Sequence, residues 1–194
     1  METKLKCKDC GAMILVSTVA RNGGVCMPCK SGRRKSIEAA EEHYAQDRER
    51  DRTCPFRALW KELVDRVYNQ PGGFEALSAA EKQYFSVRVL VGEVYNGGFE
   101  QYFHNSSADY YEYAEAGLMR IGSKESLALL RASRAVVFGD DDVPAERSQR
   151  WLRLRRMGNP QALDLLDSRF CADPDSLDAK LERFAHDEGL VKHG

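Results

Sequence analysis

No apolar run in this chain approaches the roughly 20 residues that a membrane-spanning helix needs, so no such helix is expected. A secretory pattern is missing as well. Met1 to Lys8 is charged and leads straight into Cys7, which makes a cytoplasmic location the expectation. Nor is there an excess of charge of one sign. The formal net charge is −1, too small to support any argument from gross charge alone. It hides a mild gradient: residues 1–53 carry 11 Lys/Arg against 8 Asp/Glu, and residues 54–194 carry 18 against 22. Histidine is scarce, at four residues. No nucleophile–base pair is visible between Glu93 and Tyr110. Between Ser36 and Arg52 there is neither Gly nor Pro, which favours an uninterrupted helix there.

The strongest chemical signal is cysteine. Cys7-Lys-Asp-Cys10 is followed after fifteen residues by Cys26-Met-Pro-Cys29, and two C-x-x-C pairs at that separation match a zinc-site spacing. Each short pair forms a knuckle presenting two sulfurs, and two knuckles complete a tetrahedron around one structural Zn²⁺. Four protein ligands leave no open position for a water, so the metal is expected to be structural. The bland alternatives are disulfides or a thioredoxin-like redox pair. The former is disfavoured in a reducing compartment, and the latter lacks a surrounding βαβ pattern. Between the pairs, Ala12 to Ala20 is rich in β-branched residues and Arg21-Asn-Gly-Gly24 is a turn signal, which predicts a β-hairpin there. Residues 1–35 are therefore expected to form a zinc ribbon. Lys4, Lys6, Lys8 and the run from Lys30 to Lys35 surround it; a solvated flank is weighed there against phosphate contact.

Residues 36–53 read as a charged helical linker, with Ile37, Ala40 and Tyr44 as a thin apolar stripe and His43 at the surface. From residue 54 to 194 every long segment reads as helical. Phe56, Leu59, Trp60, Leu63, Val64 and Val67 form a broad stripe after Pro55. Ser78-Ala-Ala-Glu81 is a capping box opening a helix apolar nearly all round. Later helices run from Ser123, from Pro144 to Met157, from Asn159-Pro160 and after Ser176. The segment Pro144–Met157 holds Arg147, Arg150, Arg153, Arg155 and Arg156. It reads as a surface helix anchored by Trp151, or as a docking face. Gly139-Asp-Asp-Asp142 reads as a solvated acidic loop, because it lacks calcium-loop spacing. Cys54 and Cys171 read as buried small hydrophobes. The fold class is mainly α, with an all-helical domain after a small ribbon.

The organising stretch is Glu93 to Tyr110, E-V-Y-N-G-G-F-E-Q-Y-F-H-N-S-S-A-D-Y. Asn96, Gly97 and Gly98 take positive φ at low cost and are expected to stop the preceding helix. Phe99, Tyr102 and Phe103 share one helical face, and Asn105, Ser106, Ser107 and Asp109 offer caps for the next helix. Together with Leu77-Ser-x-x-Glu81 and the Ser106-Ser-x-Asp-Tyr110 helix start, the N-G-G-F-x-Q-Y-F-x-N core resembles the DNA-mimic protein family over about residues 55–190. That resemblance implies an all-helical, non-enzymatic domain that binds other proteins and occupies the DNA-facing site of a DNA-binding protein. It marks Glu93, Asn96, Gly97, Gly98, Phe99, Gln101, Tyr102, Phe103 and Asn105 as a structural or binding motif.

These features favour a zinc-binding interaction or regulatory protein, of the antagonist or immunity type, with another protein as partner. The alternative is a nucleic-acid binder using the ribbon and the Arg-rich helix. A third reading pairs His104 with Glu93 as acid and base, and requires the turn to bring them together.

Overall fold

The computed structural model describes residues 3–159 and 161–191. The chain divides into two compact units, one ending at Cys54 and one beginning at Pro55.

In the first unit, strands β1 (Lys4–Lys6) and β2 (Met13–Leu15) pair antiparallel, with Leu5 opposite Ile14. They are followed by α1 (Val16–Arg21), α2 (Met27–Lys30) and α3 (Arg34–Thr53). The hairpin thus straddles the first knuckle instead of lying between the knuckles. The β-branched run is split, with Met13–Leu15 in the strand and Val16–Arg21 wound into a helix. The reason is local. Cys7 N–H donates to the Ala12 carbonyl at 2.8 Å and Gly11 N–H to the Cys7 carbonyl at 2.9 Å, so the knuckle itself is the hairpin loop. Asn22 to Gly24 then ends α1, with Gly24 N–H donating to the Val19 carbonyl at 2.9 Å. No residue of α3 is buried, as its charged sequence requires.

The second unit is all-helical among its described residues. It contains α4 (Pro55–Asn69), a 3₁₀ turn (Gly73–Ala76), α5 (Ala79–His104), a second 3₁₀ turn (Ser106–Tyr110), α6 (Tyr111–Arg120), α7 (Lys124–Phe138), α8 (Arg147–Arg156), α9 (Gln161–Cys171) and α10 (Leu177–Asp187). Helix α5 is the hub, packed by α6, α8, α9, α4 and α10. Its interior half is closed off by Tyr84, Phe85, Val87, Leu90, Val94, Phe99, Tyr102 and Phe103, all at 2% exposure or less. Aromatic edges lock the layers: Phe99 meets Phe170 at 5.4 Å and Phe103 meets Phe138 at 5.1 Å between ring centres. Gly117 lets α6 lie directly on α5, since a methyl group there would come within 2.7 Å of Val87 and 3.1 Å of the Gln83 carbonyl.

The capping box at Ser78 is present in both directions. Glu81 N–H reaches Ser78 Oγ at 3.3 Å, and Ser78 N–H reaches the Glu81 carboxylate at 2.8 Å. Other caps come from elsewhere. Ser123 makes no side-chain cap; the Ser126 N–H instead donates at 2.7 Å to Asp175, 49 residues further along the chain. Asp173 accepts from Leu177 N–H at 2.8 Å to open α10. Cys171 is exposed and Cys54 half-buried, so neither is the core residue expected. The first-turn role expected of Pro160 lies outside the described residues.

Candidate metal centre and candidate binding cleft

Two knuckles of the first unit bring four sulfurs together. The Sγ atoms of Cys7, Cys10, Cys26 and Cys29 all lie within 4.8 Å of one another, and none is in a disulfide. Cys10 and Cys26 are 3.6 Å apart at sulfur, well beyond the length of an S–S bond, about 2.05 Å. Cys7 and Cys26 are buried. Burial pushes the Cys7 thiol up, but hydrogen bonds from the surrounding backbone outweigh it and bring it down to about 6. One of these is Cys26 N–H, 3.2 Å from Cys7 Sγ. The Arg34 guanidinium, 3.2 Å from Cys26 Sγ, holds that thiol below the ordinary range. Cys29 is pushed up to about 12, mainly by burial. Four convergent thiols without a bridge are a donor set for a metal ion, and metal ligation requires them deprotonated. Among the described residues this is the one group of three or more His, Cys, Asp or Glu side chains placed to hold a metal. The triple aspartate at 140–142 is not such a group; Asp141 pairs with Arg153 at 2.6 Å and Asp142 with Arg134 at 3.8 Å.

The organising stretch of the second unit behaves differently from the expected helix stop. Gly97 (φ −165°, ψ 25°) and Gly98 (φ 74°, ψ −177°) break the helical dihedrals, yet α5 resumes and runs on to His104. The turn is a kink. Only Gly98 of the three turn residues takes a positive φ, and Asn96 does not. The break frees the Phe99 N–H from its helical partner, and Asp167 of α9 accepts it at 2.8 Å. Asp167 thereby caps the resumed half of α5, where a carboxylate also meets the positive end of the helix dipole. Burial pushes the Asp167 carboxyl above its ordinary range, partly offset by that N–H.

The motif residues divide by face. Phe99, Tyr102 and Phe103 are fully buried. Glu93, Gln101 and Asn105 gather on the other side. Gln101 Nε2 donates to Glu93 Oε2 at 2.7 Å and Asn105 Nδ2 donates to the same oxygen at 3.0 Å. Asn96 and Gly97 are exposed beside them. His104 Nδ1 lies 3.4 Å from Asn105 Oδ1, and among the described residues no hydrogen bond joins it to Glu93. The carboxylate that the acid–base reading needs is instead held by two amides. Of the expected side-chain caps, Asn105 binds Glu93, Ser107 Oγ donates to the Tyr102 carbonyl at 3.1 Å, and Asp109 pairs with Arg150 at 2.8 Å. None of the three caps the next helix.

Helix α8 also departs from expectation. Arg150, read as surface, is 1% exposed, while Trp151, read as the anchor, is 41% exposed. Arg150 donates to the carbonyls of Phe103 (3.1 Å), Asn105 (3.1 Å), Pro144 (2.9 Å) and Ala145 (2.8 Å). Arg147 donates to the His104 carbonyl at 2.9 Å. Two cations thus satisfy the orphan carbonyls at the end of α5, where the dipole is negative. With Arg153 on Asp141 and Arg155 stacked 4.6 Å over Trp151, most of the Arg-rich helix is engaged within the protein. Between the end of α5 and α8 lies an open cleft of about 450 Å³, lined by Gly97, Glu100, Gln101, His104, Asn105, Trp151, Leu154 and Arg155. Sequence reasoning names Arg150 only as one of a row of surface arginines and does not single out Asp167 at all. The groups they hold along α5 and at its end are 45 positions or more away, Asn105 for Arg150 and Phe99 for Asp167, and no local pattern marks them.

Fold and site together define the class: an all-helical domain built on a kinked hub helix, preceded in the chain by a four-cysteine module. The family model for DMP19-like proteins matches residues 75–188, more than half of the chain, and the chain belongs to that family. The match begins after α4, later than the resemblance over 55–190 had suggested, and leaves the four-cysteine unit outside. Searches of curated proteins and of solved structures gave no match.

Proposed function

We propose that this chain is a non-enzymatic interaction protein whose helical unit docks another protein at the cleft beside the α5 kink. One observation carries the reading: Gly97, Gln101 and Asn105 of the motif line one open cleft together with the exposed aromatic Trp151. Trp151 and Arg155 are of the residue types that dominate binding hot spots, and Gln101, Asn105 and His104 offer donors and acceptors around them. Family membership points to a DNA-binding protein as the class of partner, which the chain would occupy and so antagonise.

The surface chemistry supports docking by shape and mixed polarity over imitation of phosphates. Several carboxylates of the helical unit are paired with neighbouring cations: Asp109 with Arg150, Glu115 with Arg131 at 2.7 Å, Glu188 with Arg120 at 2.6 Å and Asp141 with Arg153. A dense single-sign field, which phosphate mimicry requires, is not what these pairs produce. The four-cysteine unit is read as holding one structural Zn²⁺ and serving as a second contact surface.

Affinity purification with mass spectrometry tests the reading, using wild type, Trp151→Ala and Cys26→Ser. We expect a specific protein partner with wild type that is lost or weakened at least about tenfold with Trp151→Ala, as for a hot-spot residue. Equal recovery with Trp151→Ala would move the interface away from the cleft. Nucleic acid recovered with a steep salt dependence would replace this reading with the nucleic-acid one.

A further inference from the structure

The first turn of α3 is built against its own dipole. It contains Arg34 and Lys35 and no acidic residue, although cations at a helix N-terminus are unfavourable. An anion facing that turn would resolve the conflict, and a sulfur of the four-cysteine cluster lies within reach of Arg34. Arg34 Nη2 donates to Cys26 Sγ at 3.2 Å. Among the described residues it is the one charged side chain hydrogen-bonded to any of the four sulfurs. Its Nε is buried with no partner, so the guanidinium is committed to this place at a cost in solvation. Two neighbouring cations are directed elsewhere: Lys30 Nζ donates to Asn22 Oδ1 at 3.0 Å, and the Lys8 side chain lies over Gly24.

Resting on the zinc reading above, we infer that Arg34 is the outer positioning residue of the four-cysteine site and that it links metal loading to the first turn of α3. Four thiolates around one divalent cation carry a net charge of about −2. A planar, always-charged guanidinium is suited to sharing sulfur acceptors while resisting proton loss. Bound to Cys26, it holds that ligand's orientation and offsets part of the excess negative charge. The same contact fixes Arg34 at the start of α3, so the cluster supplies the anion that its basic first turn lacks. When the metal is stripped the sulfurs are no longer held in one place, and the turn keeps its two cations without a fixed counter-charge.

The test uses the full chain loaded with Zn²⁺, then with Co²⁺ as a spectroscopic probe, in competition with a chromophoric chelator. Arg34→Gln is expected to retain metal about 10- to 100-fold less tightly than wild type, the usual effect of losing a ligand's supporting partner. Arg34→Lys should recover part of that, and Lys35→Gln should match wild type. Hydrogen exchange gives a second readout of opposite sign to a dipole effect. Removing a cation from a helix N-terminus should by itself steady the turn, whereas here Arg34→Gln in the loaded protein should speed exchange of the Ile37 N–H, which closes the first turn of α3 on the Arg33 carbonyl. Arg34→Gln indistinguishable from Lys35→Gln in both readouts overturns the inference. A wild-type chain that binds neither ion overturns the zinc reading, and this inference with it.

Discussion

Replacing Arg150 with Met should destabilise the helical unit by about 3–5 kcal/mol, because a buried charge network loses its centre and several carbonyls lose their donor. Chemical denaturation of the two proteins measures it; a loss below about 1 kcal/mol would mean that water takes over those carbonyls. Asp109, half exposed beside it, cannot replace the four backbone acceptors that hold Arg150 in place. Gly98 is constrained twice over. Its φ of 74° with ψ near 180° is a conformation other residues avoid, at about 1–3 kcal/mol, and a methyl group there would lie 2.2 Å from an Asp167 carboxylate oxygen. Gly98→Ala should therefore lower the melting temperature markedly, and more than Gly97→Ala, where the clash is with the movable Gln101 side chain.

At the scale of an element, α5 combines a start written in its own sequence with an end supplied by its neighbours. Ser78→Ala should cost about 1 kcal/mol, the usual loss for an N-cap, read from denaturant midpoints at constant slope. The Glu81 half of the box also carries a pH dependence. Burial pushes the Glu81 carboxyl up, but the Arg66 guanidinium and the Ser78 N–H outweigh it, so the folded group sits below its ordinary value of 4.5. Stability from this group is present above that value and is lost as pH falls through the depressed one. The stability gap between wild type and Glu81→Gln should thus be widest near neutral pH and close as the solution is acidified below about 4. A gap that widens in acid would contradict the assignment.

At the scale of the whole molecule, the two units draw on different sources of stability. The helical unit has a continuous aromatic and aliphatic core around α5. Among its described residues the first unit contributes only Cys7 and Cys26 as buried apolar residues, too little to stabilise so short a segment without a crosslink or metal. Chelation of the full chain is therefore expected to abolish amide protection around β1, β2 and α2 while leaving α5 to α7 protected, as hydrogen exchange would show. Loss of protection in both units together would mean that the helical unit also depends on the metal.

The division between sequence and tertiary structure tracks the range of each signal. Cysteine spacing, the stripe of α4, the capping box at Ser78 and the all-round apolarity of α5 are local patterns, because knuckles, caps and helical periodicity are set by residues a few positions apart. The N-G-G motif likewise marked a break in α5, but whether it ended the helix or bent it depended on Asp167 arriving from α9 to take the freed Phe99 N–H. The hairpin moved to the first knuckle because the loop hydrogen bonds of Cys7 and Gly11 outcompeted β propensity. Arg150 and Trp151 exchanged their expected places for the same kind of reason. The orphan carbonyls at the end of α5 could be met only by a cation from α8, and turning Arg150 inward left Trp151 facing the cleft.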